Sequence, residues 1–134
     1  MRDGGCGGSI INISSIFGLN RVQYRGSVAY SSSEAGLDSM TKVMALELGE
    51  YNIRVKSIAT GLFRVEMTED IYRNKILKSV VEKTVPLTRL GRVNPSLTSL
   101  IRYLIHDSSS YVSGNVFIVD SGGTLLAFPI FASL

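Results

Sequence analysis

The sequence is short of the residues that most metal and thiol chemistry requires. Among 134 residues there is one cysteine, Cys6, and one histidine, His106. A lone cysteine excludes an internal disulfide and cannot supply a thiolate cluster. A lone histidine leaves almost no material for a histidine-based metal site or a serine–histidine–aspartate triad. No apolar run approaches the roughly 20 residues that cross a bilayer. The opening Met1-Arg2-Asp3-Gly4-Gly5 lacks the apolar core of a secretory signal, so a cytoplasmic protein is the expectation. Lys and Arg number 14 against 11 acidic residues and form no run, which points away from nucleic acid.

What is present has an ordinary globular balance. Hydrophobic residues make up 45% and charged residues 19%, which suits one domain with a real core. Gly4 to Gly8 follow no strand and open no helix, so they read as a flexible lead-in rather than a phosphate-cradling loop. Residues 9–14 form a short apolar run, the pattern of a buried strand. From Val28 to about Gly49 the pattern turns helical, with Ala29, Leu37, Met40, Met44 and Leu48 at three- and four-residue steps. Residues 53–58 alternate as a second strand, and a helix is expected over 66–83, interrupted at Val85-Pro86. Asn94-Pro95 predicts an N-cap with proline first in a helix to about His106, where a positive charge would suit the helix end. Residues 116–119 read as a third strand. Strands alternating with helices imply an α/β class with a parallel sheet, although three strands are few for one.

The chemistry lies between Ile11 and Leu48. Ser15 is expected at the carboxyl end of the first strand, where open α/β sheets place their ligands. Tyr30 falls in the first turn of the following helix, near the same edge. A hydroxyl and a phenol converging there can polarise a carbonyl and protonate the developing alkoxide. Tyrosine alone is a poor acid near neutrality, its reference pKa being ~10. A cation one helical turn on would favour the phenolate. That position holds Glu34, whose carboxylate acts in the opposite sense. Lys42 lies too far along, about 18 Å from Tyr30 at ~1.5 Å of rise per residue.

These residues carry a resemblance. Asn12-Ile13-Ser14-Ser15, Gly18, Tyr30, Ala35-Gly36-Leu37, Thr41-Lys42 and Ala45-Leu46-Glu47-Leu48, followed by Ile53-Arg54-Val55, are similar to short-chain dehydrogenases/reductases. The closest likeness is to their acyl-carrier-protein-reductase-like, plant-type branch. Thr60-Gly61-Leu62-Phe63 resembles the family's Pro-Gly turn against the nicotinamide, with threonine for proline. Val65 stands where a hydroxyl residue often holds the carboxamide. Tyr111-Val112-Ser113-Gly114-Asn115 and Val119-Asp120-Ser121-Gly122-Gly123 resemble the closing strand region. The likeness covers nearly the whole chain.

The resemblance implies a single Rossmann-type NAD(P)-binding domain over residues 1–134, incomplete on its cofactor side. It implies Ser15 and Tyr30 as catalytic residues, with Glu34 replacing the lysine of a Ser-Tyr-Lys mechanism. Tyr30, Thr60, Gly61, Leu62 and Phe63 would face the cofactor. The family's Thr-Gly-x-x-x-Gly-x-Gly loop and Asn-Asn-Ala-Gly segment are not in the sequence, and Met1-Arg2-Asp3 resembles the end of the helix before the serine strand. Only the last three strands of a doubly wound sheet are therefore expected, with an unpaired edge on the first. Two readings follow. One is an NAD(P)-dependent oxidoreductase interconverting carbonyl and alcohol on a small molecule, weakened by Glu34 and by the missing half. The other is a non-catalytic remnant that associates with full-length relatives. In either, the helix from Val28 to Gly49 is the expected subunit contact. Phe128-Pro129-Ile130-Phe131 is an apolar tail suited to packing or subunit contact.

Overall fold

Isoleucine and valine concentrate in three runs, and these become the strands. In the computed structural model, which describes residues 1–125, β1 is Gly8–Ser15, β2 is Ile53–Thr60 and β3 is Val116–Val119. They pair in parallel in the order β1-β2-β3. Ser15 stands opposite Thr60, and Thr60 opposite Val119, so the three carboxyl ends share one edge. Parallel neighbours need long crossovers. The first is α1, Val28–Glu47. The second comprises α2, Glu69–Arg73, α3, Lys75–Thr84, and α4, Thr98–Ile105.

Side-chain alternation sends the strands' polar residues to opposite faces. Asn12 donates to Thr41 Oγ1 at 2.9 Å and Ser57 to Asp38 Oδ1 at 2.6 Å, both on α1. On the other face Ser9 and Lys56 donate to the Leu104 carbonyl of α4, at 2.9 and 3.0 Å. Helices thus cover both faces, and the middle strand forms the core through Ile53, Val55, Ile58 and Ala59. Arg54 binds the end of α4, donating to the carbonyls of Leu104, Ile105 and His106 and to Ser109. A guanidinium there answers the last-turn carbonyls, which have no partner within the helix.

Several expectations change. Gly8 begins β1 and so belongs to the sheet rather than to a lead-in. The helix expected over 66–83 is broken at Asn74, whose Oδ1 accepts from the Ile76 amide at 3.0 Å and starts α3 afresh. Asn94 is extended (φ −109°, ψ 127°), as an N-cap residue should be, and its Oδ1 accepts from the Thr98 hydroxyl, but the turn it opens is wider than an α-helix, which begins only at Thr98. His106 does stand at the end of α4 as its C-cap, and its Nδ1 accepts from the Ser108 amide at 3.0 Å, closing the turn that follows.

The inner face of α1 is the largest correction. Its buried residues are Asp38 and Thr41, whereas Ala29 and Met40 are exposed. Two apolar stripes run along this helix. The polar pair turns inward because Ser57 and Asn12 on the strands supply its hydrogen bonds. Met40, Val43 and Leu46 face outward, 46%, 49% and 83% exposed. The tail at Phe128-Pro129-Ile130-Phe131 lies outside the described residues.

Candidate active site

Ser15 closes β1 and is 5% exposed. Its Oγ accepts from the Phe17 amide at 3.3 Å, which caps the short helical turn Ile16–Leu19. That turn carries Phe17 against the Tyr30 ring at a centroid distance of 5.7 Å, and edge-on to Tyr24 at 5.3 Å. Gly18 lets the turn lie on α1, for a Cβ there would stand 2.7 Å from the Ala35 nitrogen. Tyr30 sits in the first turn of α1 and remains 41% exposed.

Glu34 joins the two. Burial, then repulsion from Asp38, pushes its carboxyl above the ordinary glutamate range, while the Ser15 backbone and the Tyr30 hydroxyl favour the charged form. One carboxyl oxygen, Oε2, is buried without a partner. Ser14 Oγ and Asp38 Oδ2 are orphaned as well, so the seam between α1 and the sheet is under-satisfied where Glu34 enters it. An acid whose folded value is raised binds more protons folded than unfolded, so its contribution to stability falls as pH rises above the ordinary glutamate range. Glu34→Gln is therefore expected to raise the urea midpoint at pH 7, with the advantage shrinking by pH 4. An advantage unchanged across that range would contradict the burial argument.

Thr60, Gly61, Leu62 and Phe63 continue the same edge. Thr60 Oγ1 donates to the Ser14 carbonyl at 3.0 Å, fastening β2 to β1 beside Ser15. Gly61 is required by packing, since a Cβ would lie 2.7 Å from Asp120 Cα. Phe63 is buried, and Gly91 lies flat against its ring. Val65 offers no hydroxyl. Its amide donates to Thr68 Oγ1, and that hydroxyl donates to the Phe63 carbonyl at 2.6 Å, so the nearby threonine closes a turn. Beyond Leu62 and Phe63 lies a cavity that sequence reasoning missed, because its wall comes from segments scattered between Leu62 and Leu125 with no shared periodicity. Among the described residues no group of three or more metal-ligating side chains occurs, and no helix is long and apolar enough to cross a membrane.

A parallel sheet with helices on both faces and a serine–tyrosine pair at its carboxyl edge defines the class, part of a Rossmann-like α/β domain. The model of the family described as enoyl-(acyl carrier protein) reductase matches residues 1–124. The chain is 39% identical to a 3-oxoacyl-(acyl-carrier-protein) reductase from Chlamydia trachomatis, over 86% of this chain and 44% of that protein. It is 37% identical to trans-4-hydroxycyclohexanecarboxylate dehydrogenase from Sinomonas cyclohexanicum, over 88% of this chain and 42% of that one. Among solved structures, 4-hydroxyisoleucine dehydrogenase complexed with NADH matches at a TM-score of 0.86 and 37% identity, covering 93% of this chain and 50% of its own. A short-chain type dehydrogenase/reductase from Mycobacterium ulcerans matches at 0.85 and 34% identity, covering 99% and 47%. The chain belongs to the short-chain dehydrogenase/reductase family. It spans about half the length of the relatives it matches.

Proposed function

We propose that these residues form the carbonyl-handling half of an NAD(P)-dependent oxidoreductase that interconverts a carbonyl and an alcohol, weakened by Glu34. The observation that carries this is the convergence of Ser15 and Tyr30 on Glu34 at the sheet's carboxyl edge. The names of the relatives, a 3-oxoacyl reductase and a hydroxycyclohexanecarboxylate dehydrogenase, agree with a small carbonyl or alcohol substrate.

In this reading Ser15 Oγ orients the substrate carbonyl and Tyr30 donates its phenolic proton to the oxygen as negative charge develops. A nicotinamide cofactor, when bound, would supply the hydride. Tyr30 and the Thr60-Gly61-Leu62-Phe63 edge would face its nicotinamide end, whereas Glu34 Oε2 is buried and presents no surface to a ribose hydroxyl. Nor can the carboxylate do a lysine's second task, because it disfavours the phenolate left after proton transfer. No glycine-rich loop for a pyrophosphate occurs in the sequence.

Calorimetric titration with NADPH and NADH tests this division of labour. The 134-residue chain is expected to show no saturation at micromolar cofactor, and saturation there would overturn it. A second reading, a non-catalytic chain that pairs with relatives, is favoured by Glu34 and by the outward Met40, Val43 and Leu46 of α1, which suit a subunit contact.

A further inference from the structure

The cavity beyond Leu62 and Phe63 has a volume of about 1030 Å³ and opens past the carboxyl ends of β2 and β3. Arginine is concentrated on its wall: Arg64, Arg89 and Arg92 all line it. The acidic groups nearby are already engaged. Asp120 accepts from the Gly122 and Thr124 amides at 2.9 and 2.7 Å. Glu82 pairs with Lys78 at 3.8 Å, and Glu69 with Arg64 at 3.3 Å and Arg73 at 3.9 Å. Among the described residues Arg89 and Arg92 have no acidic partner, so the wall keeps an unbalanced positive charge.

Tyr72 supplies an independent observation. Its hydroxyl is buried without a hydrogen-bond partner, and its ring carries the Arg64 guanidinium at 5.2 Å from the centroid. A buried hydroxyl left unpaired is costly unless something enters to accept a hydrogen bond from it. Burial pushes the phenol's pKa up, and the nearby Glu69 and Glu82 add to this against Arg64 and Arg92, so the hydroxyl keeps its proton at neutral pH. The cavity therefore offers one neutral donor and planar cationic donors, with Leu62, Phe63 and Val85 as apolar wall between them. Guanidinium groups match the planar geometry of carboxylate and phosphate oxygens.

We propose that this cavity binds a small organic oxyanion, a carboxylate or phosphate group received by the Tyr72 hydroxyl and the guanidinium of Arg92, with Arg64 and Arg89 beside them. The site does not depend on the oxidoreductase reading, because neither Ser15 nor Tyr30 takes part in it.

The test titrates the full 134-residue chain with succinate and, separately, with inorganic phosphate, following amide chemical shifts at low salt. Saturable binding is expected, with shifts confined to residues around Arg64, Tyr72 and Arg92. Saturation by succinate alone assigns a carboxylate, by phosphate alone a phosphate, and by both the shared chemistry. Tyr72→Phe and Arg92→Gln are each expected to weaken binding about tenfold, a step worth ~1.4 kcal/mol. Lys42→Gln, on exposed α1 surface, is expected to leave it unchanged. Tyr72→Phe removes one oxygen that has no partner, so loss of fold does not confound it. If neither probe saturates, or if both cavity variants bind like the parent, the proposal is overturned.

Discussion

Changing Glu34 to lysine, in a fusion that carries the amino-terminal half of the Chlamydia trachomatis reductase, is expected to raise turnover about 100- to 10,000-fold. That range is what a positioned acid–base group contributes. A cation at this place stabilises the phenolate that Tyr30 becomes on giving up its proton, whereas the carboxylate opposes it. The surroundings suit the replacement. Asp38 lies one turn further along α1 with its Oδ2 buried and unpartnered, so the new ammonium gains an ion-pair partner on the face it shares with Tyr30. The KM for the carbonyl is expected to change little, because Ser15, which orients that carbonyl, is untouched. Tyr30→Phe added to the lysine fusion should remove the whole gain. Loss of reduced nicotinamide absorbance gives both rates. Equal rates with Glu34 and with lysine would show that the carboxylate is no defect. Two inactive fusions that both bind cofactor would favour the non-catalytic reading instead.

Local chemistry explains which parts of this architecture were legible in the sequence. Residues 9–14 and 116–119 show strands because a sheet covered on both faces selects short apolar runs. Ser15 was placed correctly because a strand end followed by Gly18 and Asn20 is a local signal, and the structure adds why Gly18 is needed. The inner face of α1 was not legible. Met40 is apolar and in phase with Leu37 and Met44, yet it faces outward, while Asp38 and Thr41 turn in. Hydrophobic periodicity alone cannot find a polar seam whose partners, Asn12 and Ser57, lie on other elements. The same limit hid the arginine-lined cavity. Arg64, Tyr72, Arg89 and Arg92 converge only after α2 and α3 fold over the end of the sheet. The break at Asn74 was missed for a smaller reason, since an asparagine within an otherwise helical pattern reads as a tolerated residue until its side chain is seen capping the next helix.

Replacing Lys56 by methionine is expected to stabilise the chain by about 3 kcal/mol at pH 7. Lys56 has no exposed surface, and its ammonium lies against the Ser9 hydroxyl at 2.9 Å and the Leu104 carbonyl at 3.0 Å, with no carboxylate paired to it among the described residues. Burial, and then the nearby Arg54 charge, lower its pKa from 10.5 to about 8. A base whose folded value is depressed binds fewer protons folded than unfolded. Stability must therefore rise with pH between about 8 and 10.5, and below that window the buried charge imposes its full cost. At ~1.4 kcal/mol per pKa unit that cost is about 3 kcal/mol. Methionine keeps the length and apolar stem of the side chain and discards the charge. Little is orphaned by the change. The Leu104 carbonyl also accepts from Ser9, Arg54 and Ser109, more donors than its two lone pairs need. Urea denaturation at pH 7 and pH 10 separates this account from simple repacking. The variant should lead clearly at pH 7, and the parent should recover most of the difference by pH 10. A constant gap would mean that packing, not charge, sets the cost of Lys56. A less stable variant at pH 7 would mean that the ammonium's two hydrogen bonds outweigh its desolvation.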